Sequence, residues 1–152
     1  MEKRTSGRLR VLLVDDDELI RRAAARSLEA LLGCVVETAS TGYEAIALVM
    51  FGEGYDVAVV DLEMPGMNGR DVIKLLKNLA PDLPAGIWSG ATPLREGELP
   101  EASFVVRKWQ PIDELAEAVE RAAARNVRTS TVRLVGPAAA PNKKTNGNGN
   151  GH

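Results

Sequence analysis

Five short apolar runs recur along the chain, most of them followed by a stretch of helical periodicity, and this alternation restricts the fold more than any other feature. The runs are Leu9–Val14, Cys34–Thr38, Asp56–Val60, Ala85–Trp88 and Phe104–Val106. Strands that alternate with helices predict an α/β domain, a parallel sheet covered on both faces. Val57, Ala58, Val59 and Val60 are apolar in succession. Such a run suits a strand buried on both sides rather than one with a wet face.

The helices between the runs carry start and stop signals. Asp17 offers an N-cap, Ile20, Ala24, Leu28 and Leu31 follow at helical spacing, and Gly33 ends the helix. Thr41-x-x-Glu44 is a capping box ahead of Ala45, Ile46, Leu48 and Val49. Gly69 to Leu79 places Val72, Ile73, Leu76 and Leu79 on one side, and Pro81 and Pro84 close it. Pro111 to Arg125 turns Ile112, Leu115, Val119 and Ala122 inward. Only the stretch from Ser89 to Phe104 breaks the pattern. A fourth helix is due there, but Pro93, Gly97 and Pro100 oppose it. No helix longer than about two turns is expected over Thr92–Ala102.

Composition removes several functions. The only histidine is His152, the last residue, which excludes a Ser-His triad and a histidine phosphodonor. The only cysteine, Cys34, makes no intrachain disulfide and no zinc cluster, so a reducing, cytoplasmic setting is expected. No apolar run approaches the ~18–20 residues of a membrane span. Lys3, Arg4, Arg8 and Arg10 stand near the start, and Arg128, Arg133, Lys143 and Lys144 near the end, while the whole chain has a net charge of −2. An acidic body with basic ends is not the basic face of a nucleic-acid binder. The ends read as solvated segments, with a weak electrostatic tether as the functional alternative.

In a wound parallel sheet, ligands bind beyond the carboxyl ends of the strands. Those ends carry Asp15 and Asp16, then Asp61, then Ser89, then Lys108. Three converging carboxylates repel one another unless a cation joins them. Hard oxygen ligands suit Mg²⁺, which would neutralise a phosphoryl group and let a carboxylate attack phosphorus. Lys108 adds a positive charge and Ser89 a hydroxyl donor. Together these are the parts of an aspartyl-phosphate site. Each alone has an ordinary alternative: an Asp pair after a strand is often a helix N-cap, Ser89 a turn residue, Lys108 a solvated lysine. Their joint occurrence at successive strand ends is what points to chemistry.

The stretch from about residue 9 to 126 resembles the receiver domains of two-component response regulators. Val-Leu-Leu-Val-Asp-Asp-Asp (11–17) resembles the family's first strand and acidic pair, and Val-Val-Asp-Leu-Glu-Met-Pro-Gly-Met-Asn-Gly (59–69) its phosphoacceptor segment. Ile-Trp-Ser-Gly-Ala (87–91) is similar to the fourth strand. The resemblance implies a flavodoxin-like, doubly wound, five-stranded parallel sheet in order 2-1-3-4-5, here with a degenerate fourth helix. It also implies Asp61 as nucleophile, Ser89 as switch hydroxyl, and Lys108 as phosphoryl partner. Asp16, Asp61 and the Glu63 backbone carbonyl would ligate Mg²⁺, with Asp15 acting through a water.

The chain departs from that family where Lys108 meets Trp109. The family shows Lys-Pro there, usually with a cis bond. Lys108 keeps the family's spacing to Leu115 in the last helix. Cis costs ~0.5–1 kcal/mol before proline but ~2.5–4 kcal/mol before other residues, so a trans bond is expected. Trp109 would then cover the pocket edge or pack on the last helix. The aromatic switch position falls on Val105, with Phe104 one place off, which leaves the usual output face in question.

The resulting expectation is a stand-alone receiver over residues 9–126, between a basic segment (1–8) and a basic, then Asn/Gly-rich tail (127–152) that is largely disordered. Thr131–Val135 is at most an extra strand or docking peptide. No effector domain is recognised. Asp61 would accept a phosphoryl group from a histidine kinase or phosphotransfer protein, and the phosphorylated form would engage an unidentified downstream protein. The protein would not be an enzyme beyond slow self-dephosphorylation, would not bind nucleic acid, and would not insert in a membrane. One rival is a receiver-like interaction module that works without phosphorylation. Another is a haloacid-dehalogenase-like phosphatase, opposed by Glu63 where a second aspartate is needed.

Overall fold

A computed structural model describes residues 7–90, 94–95 and 97–135, with side chains to residue 126. Most of the basic N-terminal segment and all of the tail beyond Val135 lie outside the described residues, as do Thr92, Pro93 and Glu96. The elements are β1 (Arg10–Val14), α1 (Glu18–Leu32), β2 (Val35–Ala39), α2 (Gly42–Phe51), β3 (Val57–Val60), α3 (Gly69–Leu79), β4 (Ala85–Ser89), β5 (Val105–Arg107) and α4 (Ile112–Val135). The strands form one parallel sheet in order β2-β1-β3-β4-β5, the flavodoxin-like arrangement expected.

Local signals place the helices. The Asp17 carboxylate accepts from the Ile20 amide at 3.1 Å, and Gly33 closes α1 at φ 63°. The Thr41 hydroxyl accepts from the Glu44 amide at 3.0 Å, while the Glu44 carboxylate reaches back to the Ser40 amide at 2.7 Å. The return bond of the capping box thus falls one residue before the N-cap.

Strand residues alternate between two apolar layers. Leu12, Val14, Ala58, Val60 and Ile87 meet Ala45, Val49, Val72, Ile73 and Leu76 of α2 and α3. Val11, Leu13, Val57, Val59, Trp88 and Val106 meet Ala24 and Leu28 of α1 and Leu115, Val119 and Ala122 of α4. Each fully buried Val or Leu contributes ~1.5–3 kcal/mol. The buried stripe of α1 is narrower than its spacing implied: Ile20 and Leu31 have the right period but are exposed, as is Leu79 of α3.

Among the described residues between β4 and β5 there is no helix. Leu94 and Leu99 nevertheless bury themselves in the α2–α3 layer. An Arg70–Glu98 ion pair at 2.7 Å ties this segment to α3, and the Glu98 carboxylate also accepts from the Arg95 amide at 2.9 Å. Phe104 lies against Gly86, where a Cβ would stand 2.3 Å from the ring.

The last helix corrects the sequence reading. It passes Arg125 and continues to Val135, so Thr131–Val135 is helical rather than an extra strand. Ala122, Ala123, Ala124 and Arg125 are strong helix formers, and no glycine or proline interrupts the sequence before Gly136 and Pro137. No described helix is long and apolar enough to cross a membrane.

Candidate functional site

The order β2-β1-β3 reverses the winding direction beside β1, and a crevice opens at the carboxyl ends of β1 and β3. Asp15 and Asp61 sit there because the sheet ladder extends one residue past each strand. The Asp15 amide donates to the Ala39 carbonyl at 3.1 Å and the Asp61 amide to the Val14 carbonyl at 2.9 Å. Both carboxylates are buried; Asp16 beside them is exposed. Carboxylate oxygens of Asp15, Asp16 and Asp61 all lie within 4.8 Å of one another.

Lys108 enters from the other side. Its amide donates to the Ser89 carbonyl at 3.0 Å, which prolongs the β4–β5 ladder and fixes where the side chain starts. The ammonium lies 2.5 Å from Asp15 Oδ2 and 3.5 Å from Asp61 Oδ2. Among the described residues there is no cis peptide bond, so Lys108 reaches the carboxylates through a trans Lys108–Trp109 bond, as expected. Trp109 joins neither apolar layer. It is 67% exposed, with the Arg107 guanidinium 5.7 Å from its ring centre. Val105 is also exposed, and the aromatic residue here is Phe104, just before β5 and packed against the inner layer.

Ser89 is buried at the end of β4, paired in register with Arg107. Glu63 is exposed two residues beyond Asp61, and its backbone favours the charged form of the Asp61 carboxyl. The loop from β3 to α3 turns through Gly66 at φ 78°. It then passes Gly69, where a Cβ would stand 2.2 Å from the Asp61 carbonyl oxygen. Only a glycine lets α3 start that close to the acceptor strand.

Burial pushes the Asp61 carboxyl up to about 6; the Lys108 ammonium opposes this, the Asp15 charge reinforces it, the Glu63 backbone opposes it and Asp16 reinforces it. One ammonium does not balance three carboxylates, and this deficit suits a hard divalent cation with oxygen ligands.

Two contacts were not anticipated from the sequence. Arg21 Nη1 donates to the Asp15 carbonyl at 2.8 Å, bracing the turn after β1, while the Asp15 carboxylate accepts from the Asp17 amide at 2.9 Å. A cation near a helix N-terminus opposes the helix dipole, and that mismatch was the available signal. The Lys108 ammonium also lies 5.1 Å over the centre of the Trp88 ring.

Comparison with known proteins agrees with this geometry. Residues 11–120 match the family model of the response regulator receiver domain. Response regulator MprA of Mycolicibacterium vanbaalenii is 38% identical over 76 residues, which is 50% of this chain and 32% of that protein. MprA of Mycobacterium leprae matches to the same extent. The chain thus spans about a third of the length of these curated relatives. A response regulator receiver domain protein of Clostridium thermocellum superposes with a TM-score of 0.72 at 25% identity, covering 80% of this chain and 98% of that one. Response regulator TrrA of Thermotoga maritima, solved in complex with Mg²⁺–BeF, gives 0.70 at 30% identity over 75% and 98%.

Proposed function

We propose that this chain, which belongs to the response regulator receiver domain family of two-component systems, accepts a phosphoryl group on Asp61 from a histidine kinase or phosphotransfer protein. The observation that carries the reading is the Lys108 ammonium held 3.5 Å from Asp61 inside a cluster of three carboxylates. The buried Asp15 and Asp61 carboxylates draw the ammonium into the pocket, where it could pair with a phosphoryl group.

In the transfer, an Asp61 carboxylate oxygen bonds to phosphorus as the P–N bond of the donor phosphohistidine breaks. The released imidazole takes a proton from solvent. Lys108 pairs with a phosphoryl oxygen and Ser89 donates a hydroxyl to another. Asp16, Asp61 and the Glu63 carbonyl would hold Mg²⁺, with Asp15 reaching it through water. When bound, the ion neutralises charge on the phosphoryl oxygens. Mg²⁺–BeF in the Thermotoga relative supports this metal and this kind of ligand.

Residues 9–126 form the receiver body in this reading, and the phosphorylated form then engages a downstream protein. The setting is cytoplasmic, where such kinases present their phosphohistidine, and neither nucleic acid nor a membrane takes part. The altered region around Phe104 and Lys108 motivated a module that works without phosphorylation. With Lys108 inside the pocket, that motive weakens.

Acetyl phosphate with Mg²⁺ tests the proposal. Intact-mass spectrometry should find one added phosphoryl group on the wild type and none on Asp61→Asn. Equal labelling of both proteins would overturn it.

A further inference from the structure

Lys108 has a long, flexible stem and starts from a short loop, with Arg107 before it and Trp109 after. Its amide is fixed by Ser89, but that bond leaves the side-chain torsions free. Two carboxylates draw the ammonium from one direction, Asp15 at 2.5 Å and Asp61 at 3.5 Å. The Trp88 ring bounds it from another, with the amine 5.1 Å over the ring centre. A cation within ~6 Å of an indole face is attracted by the ring quadrupole, more strongly where water is excluded. Trp88 is only 6% exposed and belongs to the buried layer that includes Val106, Leu115 and Val119, so its ring is a fixed surface. Trp88 and Ser89 are neighbours on β4, so one strand supplies both the hydroxyl and the platform.

We propose that Trp88 is the positioning residue for Lys108: its indole face holds the ammonium at the pocket, so that it meets the phosphoryl group on Asp61 without a proline to shape the loop. This rests on the phosphoacceptor reading above and adds a residue to it. An aliphatic side chain at 88 fills the layer but offers no attraction to a cation. The amine is then held from the carboxylate side alone, where Asp15 competes with the phosphoryl group.

The test is the affinity for beryllium fluoride with saturating Mg²⁺, followed by ¹⁹F NMR, with circular dichroism to verify folding. Trp88→Met should weaken binding about tenfold, the effect of ~1.4 kcal/mol. Trp88→Phe, which keeps an aromatic face, should stay within about threefold of wild type. In a Lys108→Met background the two substitutions should bind alike. Equal affinities of Trp88→Met and Trp88→Phe with Lys108 present would overturn the proposal, as would a gap that persists without Lys108. If Trp88→Met fails to fold, the wild type decides. The Lys108 ε-methylene protons should be shifted upfield by the ring, and an unshifted resonance would overturn the proposal. Failure of wild-type protein to bind beryllium fluoride with Mg²⁺ would instead count against the phosphoacceptor reading, and the ring-current shift needs no phosphoryl analogue.

Discussion

The Lys108 ammonium is closer to Asp15 than to Asp61, 2.5 Å against 3.5 Å, so in this state the buried acid of β1 holds the lysine. The Asp15 side chain is fully buried and that of Lys108 is 17% exposed. A phosphoryl group on Asp61 would offer the ammonium a second anion and set up a competition between the two strands.

Removing the lysine should therefore cost stability. Lys108→Met leaves the Asp15 charge buried without its partner, which we expect to destabilise the metal-free protein by about 1–3 kcal/mol. The figure lies below the 3–5 kcal/mol of a fully buried pair because the pocket opens to water. Urea denaturation measures it, and added Mg²⁺ should restore most of the loss. An unchanged midpoint without metal would show that the pair contributes nothing.

Asp61 sets a pH dependence of unusual sign for a carboxylate. Its folded pKa is raised from 3.8 to about 6, chiefly by burial. The folded protein therefore retains this proton where the unfolded chain has released it. Without metal, the contribution from Asp61 is most favourable below pH 4 and is lost as pH rises to about 6. Asp61→Asn removes the penalty. At pH 7.5 it should be more stable than wild type by on the order of 1–2 kcal/mol, a value discounted for solvent at the mouth. The difference should shrink at pH 4.5. A difference independent of pH would contradict the assignment.

Gly69→Ala should damage fold and site together. Its Cβ would meet backbone atoms of Asp61 and Leu62 at 2.2 and 2.7 Å, and backbone gives way less readily than a flexible side chain. We expect a loss of about 2–3 kcal/mol and slower phosphorylation. A thermal melt equal to wild type would show that α3 can move away freely.

The β3–α3 half of the site was the most legible part of the sequence. The apolar run ending at Asp61, the motif that follows it and the Gly69–Leu79 helix are all local patterns. The end of α4 was less so. The Thr, Arg and Val residues after Arg125 have middling helix propensity, and a helix already under way propagates through them at little cost. Ile20 and Leu31 show the limit of periodicity, which gives spacing but not which face the neighbours cover. Lys108 was identified by spacing, yet its preference for Asp15 and its place over Trp88 depend on three separate strands meeting. No stretch of sequence encodes that distance.

Asp16 is exposed and makes no contribution to the apolar layers, so its loss should leave the fold intact. Wild-type protein should show a change in tryptophan fluorescence on Mg²⁺ titration, reported by Trp88 through Lys108. Asp16→Ala should lose this response and keep its circular dichroism spectrum. A full response from the variant would remove Asp16 from the metal site.

The most direct measurement is reductive trapping of the phosphorylated protein. Borohydride converts an aspartyl phosphate into homoserine, and peptide sequencing by mass spectrometry then reads its position. After treatment with acetyl phosphate and Mg²⁺, homoserine should appear at position 61 alone. Homoserine at 15 or 16, or none in folded protein that has bound Mg²⁺, would contradict the account.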